Sequence, residues 1–369
     1  MMSAEVAALS KYVDALNRAE QGAVPTLTLE GGIAGIGYAS FLLGREYGDA
    51  SLIMASYQMM LKMLTFIDEG AAFEPEHANV HFELVQSHFQ GSLFYGPAGY
   101  WFTLAMLASN VGDRSTATMA VNEFLSRCSG PHTHAEFLFG SAGVLWAAGH
   151  LLRQSLSHND LNRVVQVSSM LLAETWGNFC QGEKYRSIFG MGELGFAHGT
   201  AGILYCVLVF CTALECALPD GFIAEMEELA CLAAVSSRGT SWPVAYPDEI
   251  PLVLPGVRES WCNGAAGFVP LWNLAHDVFG GNLYRDLTLK TAAFITGVGP
   301  GAKPTLCCGL AGHMVAFGYA ARIEPAEKWG SFIAQILQAL SPSHVSLNSQ
   351  NHGLFKGVVG ALLGGTAWL

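Results

Sequence analysis

The stretch FAHGTAGILYCVLVFCTAL, residues 196–214, sets a Gly-x-x-Gly in front of a run that is apolar on all sides. The same motif recurs along the chain. It reads GIAG at Gly32–Gly35, GPAG at Gly96–Gly99, GSAG at Gly140–Gly143 and GTAG at Gly199–Gly202. It returns as GAAG at Gly264–Gly267, GLAG at Gly309–Gly312 and GVVG at Gly357–Gly360. Seven copies, 44 to 65 residues apart, mean a repeat architecture.

The segments that the copies open are alike. GYWFTLAML, GVLWAAGHLL, GILYCVLVF and GFVPLWNLAHDVF are apolar nearly all round, and a helix apolar on every face must be buried on every face. Between the copies the apolar spacing predicts one-sided helices over Ala4–Arg18, Ser51–Ile67, Ser115–Arg127, Leu161–Trp176, Ile223–Ser236, Tyr284–Ile295 and Ala326–Leu340. There is little strand pattern. Seven apolar helices alternating with seven amphipathic ones predict an all-α fold, an α/α toroid whose inner barrel is enclosed by the outer helices, over residues 1–369 as one domain. A linear solenoid needs polar caps at its ends, whereas the last copy runs apolar to Leu369. Closure into a ring satisfies that end. Paired glycines suit seven helix starts crowded on one rim, because Gly permits sharp entry and close backbone approach.

Composition agrees with enclosure. Charged residues are only 13% against 51% hydrophobic, where an ordinary soluble domain carries roughly a quarter charged. Gly is high at 42 residues and Pro ordinary at 14, so the glycines are placed rather than part of a disordered tract. A net charge of −12 with no run of Lys or Arg argues against nucleic acid as a partner. The start, MMSAEVAALSKYVDALNRAE, lacks the uninterrupted apolar core of a secretory signal. Residues 201–218 are the most membrane-like stretch, but they include Glu215 and come after a His-Gly turn; a buried helix is the expectation and no transmembrane segment. Nine scattered Cys form no disulfide framework and fit a reducing cytoplasm.

Chemistry is expected where other residues intrude on the repeat. Three consecutive copies do so just before the first glycine: Phe196-Ala197-His198, Trp261-Cys262-Asn263 and Leu306-Cys307-Cys308. If the seven loops share a rim, Cys262, Cys307 and Cys308 meet at one mouth. Three thiolates suit zinc, and with no fourth ligand at an equivalent position the set leaves a coordination place open, as catalytic sites do. The other six, Cys128, Cys180, Cys206, Cys211, Cys216 and Cys231, read as small core hydrophobes. His198 alone would read as a core histidine; beside a metal mouth it reads as a general acid or base. Arg258, Glu136 and Lys303, each four residues before a motif residue, taken alone read as solvated loop charges.

These residues together resemble the lanthionine synthetase C-like cyclases. The resemblance spans nearly the whole chain: seven GxxG copies, AHG at 197–199, WCNG at 261–264, CCG at 307–309 and LFKG at 354–357, in order. It implies an α/α toroid with zinc at the rim, held by Cys262, Cys307 and Cys308. It implies the addition of a peptide Cys thiolate to the β-carbon of dehydroalanine or dehydrobutyrine, giving a thioether ring. His198 is then the acid/base residue, Arg258 a support for the enolate or the fold, and Glu136 an acceptor for the thiol proton. Two departures stand out. The commonest third ligand of the family is His, where this chain has Cys308, so the bare site carries −1 rather than zero and the metal becomes a weaker Lewis acid. A subset of cyclases with the same CCG tends towards broad substrate tolerance. Asn263 replaces the Tyr or His that often succeeds the first ligand, which leaves that slot without an obvious acid/base role. The resemblance also implies a dehydrated precursor peptide as partner, with a separate dehydratase or kinase/lyase supplying it. Three other readings remain: a relative that adds glutathione to dehydroamino acids, a zinc-binding scaffold without turnover, and a different toroid enzyme. Of the last kind, prenyltransferases use a mixed Asp, Cys and His set, and glycosidases need paired rim carboxylates, for which only Glu136 and Glu193 offer themselves.

Overall fold

The computed structural model describes residues 26–67, 91–128, 132, 134–181, 185, 187–246, 259–298 and 303–339, together with 6, 7, 9–11, 13, 14, 73, 354, 355, 360 and 363. Within them six helix pairs succeed one another. The apolar, odd-numbered members are α1 (Ile33–Tyr47), α3 (Pro97–Val111), α5 (Ser141–Leu152), α7 (Thr200–Leu214), α9 (Ala265–Phe279) and α11 (Leu310–Ala320). The even-numbered members are α2 (Ala50–Met63), α4 (Arg114–Cys128), α6 (His158–Phe179), α8 (Phe222–Cys231), α10 (Asn282–Val298) and α12 (Gly330–Ala339). Each odd helix packs on the next odd helix and on its own even partner. The odd helices therefore line an inner barrel and the even ones surround it. Among the described residues no helix is long and apolar enough to cross a membrane; the run from residue 201 is α7, buried through most of its length.

The glycine motif has a common local cause. Each inner helix starts without a side-chain cap, although its first N–H groups need acceptors. The preceding loop curls back and supplies backbone carbonyls seven residues upstream. Ile33 N–H donates to Thr26 O, Ser141 to His134 O, Thr200 to Glu193 O, Ala266 to Glu259 O and Leu310 to Lys303 O, at 2.9 to 3.3 Å. So tight a return leaves no room for side chains. A Cβ at the second glycine of all seven copies would lie 1.8 to 2.4 Å from a carbonyl oxygen six residues earlier.

The ring closes through residues two to four places before each first glycine. Leu138 N–H donates to Ala197 O (3.1 Å), Ala197 to Cys262 O (2.8 Å), Cys262 to Cys307 O (3.1 Å) and Cys307 to Phe355 O (2.8 Å). Leu354 N–H then donates to Glu30 O, and Glu30 N–H to Phe94 O (2.8 Å). Ser92 Oγ completes the circuit by donating to Leu138 O at 2.7 Å. Inside it, Phe94, Phe137, Phe196, Trp261 and Phe355 form a closed chain of ring contacts with centroids 4.8 to 5.3 Å apart. This aromatic plug seals the barrel beneath the loops, each such pair adding roughly 0.5–1.5 kcal/mol beyond burial.

The outer layer corrects several expectations. The helix expected over Ile223–Ser236 stops at Cys231, and Ala234–Ser236 pairs as β1 with β2 (Gly239–Ser241) in an antiparallel hairpin. Gly239 at φ 131 turns the chain back against α10, where helix would carry it away from the core. The segment expected as one helix from Ala326 begins with a 3-10 turn to Trp329 before α12. Of the six cysteines expected in the core, Cys128, Cys206 and Cys211 are buried, but Cys180, Cys216 and Cys231 are exposed. Those three lie at or just beyond the C-terminal ends of α6, α7 and α8, where the chain leaves the core. The helix expected over Ala4–Arg18 is seen only in part, with Val6, Leu9 and Val13 buried on one face.

Candidate metal centre and proton-transfer site

The loops before α9 and α11 bring three thiols together. Cys262 and Cys307 occupy the ring-forming slot two places before the glycine, and are themselves hydrogen-bonded neighbours through Cys262 N–H and Cys307 O. Cys308 occupies the next slot, the one His198 holds in its own copy. Cys308 Sγ lies 3.5 Å from Cys262 Sγ and 3.3 Å from Cys307 Sγ, and the three sulfurs all fall within 4.8 Å of one another. Tetrahedral coordination at the usual Zn–S length would separate sulfurs by about 3.8 Å, so the donor set fits a zinc-sized ion. Cys307 is buried, Cys262 half-buried and Cys308 exposed; the cluster opens to solvent on the Cys308 side.

Without a cation Cys262 and Cys307 resist ionisation. Hydrogen bonds to Cys262 and Cys308, then burial, push the Cys307 thiol up. For Cys262, a hydrogen bond with Cys307 favours the thiolate, but a bond with Cys308, burial and the Cys308 charge leave it pushed up to about 11. Three thiols this close become three thiolates only around a positive charge.

A second group of side chains stands beside them. Glu136, fully buried, takes His198 Nδ1 at 3.1 Å with Oε1, and its Oε2 accepts from Ile188 N–H at 3.4 Å. His198 stacks on Phe139 (5.5 Å, 17°), which stacks on Tyr95 (4.8 Å, 18°). Tyr95 and Phe139 hold the same slot as His198 in the second and third copies. Burial, then the charges of Glu30, Cys307 and Glu136, raises the Tyr95 hydroxyl well above its ordinary value. Tyr95 is thus a neutral phenol within electrostatic reach of both a cysteine of the cluster and the carboxylate that holds His198. Glu193, also buried, accepts from Asn263 Nδ2 at 3.4 Å. Burial is the main cause that raises its carboxyl, against an opposing pull from His198.

The structure therefore brings Cys262, Cys307 and Cys308 to one point and pairs Glu136 with His198. Asn263, whose slot offered no acid/base role, anchors Glu193. Lys303 is exposed and serves the fold through its backbone carbonyl. Arg258 lies outside the described residues. Sequence reasoning had no role for Tyr95 or Phe139, although their shared slot with His198 was a readable signal.

A family model described as lanthionine synthetase C-like protein matches residues 23–367. Among solved structures, a chain described as nisin cyclase aligns with a TM-score of 0.67, covering 98% of this chain and 92% of that one at 13% identity. At that identity the likeness is one of fold, the α/α toroid. No curated protein matches the chain in sequence.

Proposed function

The chain belongs to the lanthionine synthetase C-like family, and from that premise we propose that it is a zinc-dependent cyclase forming thioether rings in a dehydrated peptide. The observation that carries this reading is the three-thiol cluster standing beside an imidazole held by a buried carboxylate. Zinc held by Cys262, Cys307 and Cys308 would supply the positive charge that lets a peptide thiol ionise near neutral pH.

The remaining work falls to the chain's own residues. The open Cys308 side admits the peptide. Its thiol proton leaves towards Glu136 and His198. The sulfur then forms a C–S bond at the β-carbon of the dehydroamino acid, and the alkene pair moves to the α-carbon and carbonyl as an enolate. With Nδ1 engaged by Glu136, transfer of a proton to the α-carbon falls to His198 Nε2. One S–H is spent and one C–H made, so no oxidant or reductant enters. Tyr95, a neutral phenol, is a donor suited to the developing oxyanion, and Arg258 is assigned the same charge-supporting part. The dehydrated peptide would come from a separate dehydratase or kinase/lyase, and the need to keep the three thiols reduced supports a cytoplasmic setting for the reaction.

Cyclisation leaves mass unchanged, so it is read by loss of a thiol that an alkylating reagent can label. Wild type should bind about one zinc per chain and consume the thiol of a dehydrated Cys peptide, while Cys262→Ala should lose most metal and leave the thiol. Undiminished cyclisation after metal is stripped from wild type would refute the proposal. A product heavier by one glutathione, from a mixture of the two, would assign the intermolecular addition instead.

A further inference from the structure

The segment Ser187–Glu193 is laid across the proton-transfer site. Its Ile188 N–H is tied to Glu136, and its last residue, Glu193, to Asn263 beside Cys262. Between these ties the segment folds on itself. Gly190 N–H donates to Ser187 O and Ser187 N–H to Met191 O, both at 2.8 Å, and Phe189 N–H donates to Ser187 Oγ at 3.2 Å. Gly190 sits at φ 73, where a side chain would be strained, and nothing crowds it. The turn is therefore built to hold Phe189 in place.

A single exposed aromatic is ordinary on a protein surface, and the 43% exposure of Phe189 alone says nothing. Its neighbour gives the exposure meaning. The Phe189 ring meets the His198 imidazole edge to face, with centroids 5.0 Å apart at 78°, on a histidine whose ring also stacks on buried Phe139. One aromatic partner of His198 is thus locked in the core, and the other is presented to solvent at the mouth.

We propose that Phe189 is a specificity-determining residue: the apolar wall against which the alkene of the acceptor dehydroamino acid packs. The inference rests on the reaction proposed above. If His198 protonates the α-carbon, the adjoining β-carbon and its substituent lie within about one ring width of it, which is where Phe189 stands. A phenyl ring offers no hydrogen bond, so it discriminates by apolar area. Dehydrobutyrine differs from dehydroalanine by one β-methyl, and burying one such carbon is worth a factor of about four in affinity for the transition state.

Two dehydrated peptides differing only in that methyl test the assignment, with kcat/KM measured by thiol labelling in zinc-loaded wild type, Phe189→Ala and Phe189→Leu. Comparing that ratio between wild type and variant cancels the lower intrinsic reactivity of the methylated alkene. Phe189→Ala should lower the dehydrobutyrine-to-dehydroalanine ratio about fourfold at unchanged zinc content, with Phe189→Leu recovering part of it. An unchanged ratio in Phe189→Ala, with both peptides still cyclised, overturns the role of Phe189 alone. Failure of zinc-loaded wild type to cyclise either peptide overturns the cyclase reading and this inference with it.

Discussion

His198 shows how much of a side chain's chemistry is decided by what surrounds it. In sequence it is a histidine before a glycine; in the fold, Glu136 fixes one nitrogen and aromatic rings meet its imidazole. Its assigned part is proton transfer, not metal binding, and the two separate experimentally. His198→Asn should retain the zinc of wild type while thiol consumption falls by about 10²–10⁴-fold, the usual worth of a positioned acid or base. Loss of metal in this variant would instead make His198 a ligand or its support. The thiols were legible because they interrupt a repeat that is otherwise Gly and apolar. Glu193 and Tyr95 were not assigned, since a carboxylate six residues before a motif glycine and a tyrosine in an aromatic run read as loop and core. Only burial next to His198, Asn263 and Cys307 gives them meaning.

At the scale of the element, the recurrent unit is a return turn whose carbonyls cap the next helix from seven residues upstream. This explains why the paired glycines were readable as a repeat, and why their role as caps was not: the acceptors are backbone atoms, invisible in residue identity. The two kinds of glycine should respond oppositely to a methyl group. Gly267→Ala would set its Cβ 2.1 Å from the Trp261 carbonyl oxygen and 2.7 Å from Phe196 Cβ, and should cost about 1–3 kcal/mol or more in denaturant unfolding. Gly177→Ala, exposed within α6 with nothing near it, should gain about 0.5–1 kcal/mol from lost chain entropy. If Gly267→Ala proved neutral, the close return would be wrong. Outer helices were located to within a turn at most ends, because one apolar stripe sets their length. The β1–β2 hairpin escaped notice because three-residue strands carry too few alternations to read.

At the scale of the molecule, the hydrogen bond from Leu354 to Glu30 and the contact of Phe355 with Phe94 join the last copy to the first two. A closed ring differs from a solenoid in what it loses with a terminal repeat. In a solenoid the remaining repeats keep nearly all their neighbours; here removal also unpairs Glu30 and Cys307 and opens the aromatic plug. A chain ending at residue 340 should therefore show no cooperative urea transition and rapid proteolysis throughout, checked by near-UV circular dichroism. Retention of a sharp transition would mean that closure is incidental to stability.

Residue order alone determined where the glycine motif recurs, which of the described helices are enclosed, and which thiols interrupt the pattern. These depend on local spacing and polarity, which are written along the chain. The tertiary structure decided which slots touch: that Cys308 meets Cys262, that Glu136 and not solvent holds His198, and that Glu193 meets Asn263. Those pairings join residues 46 to 70 apart in sequence. They exist because seven loops are drawn onto one rim, and that convergence is a property of ring closure rather than of any one segment.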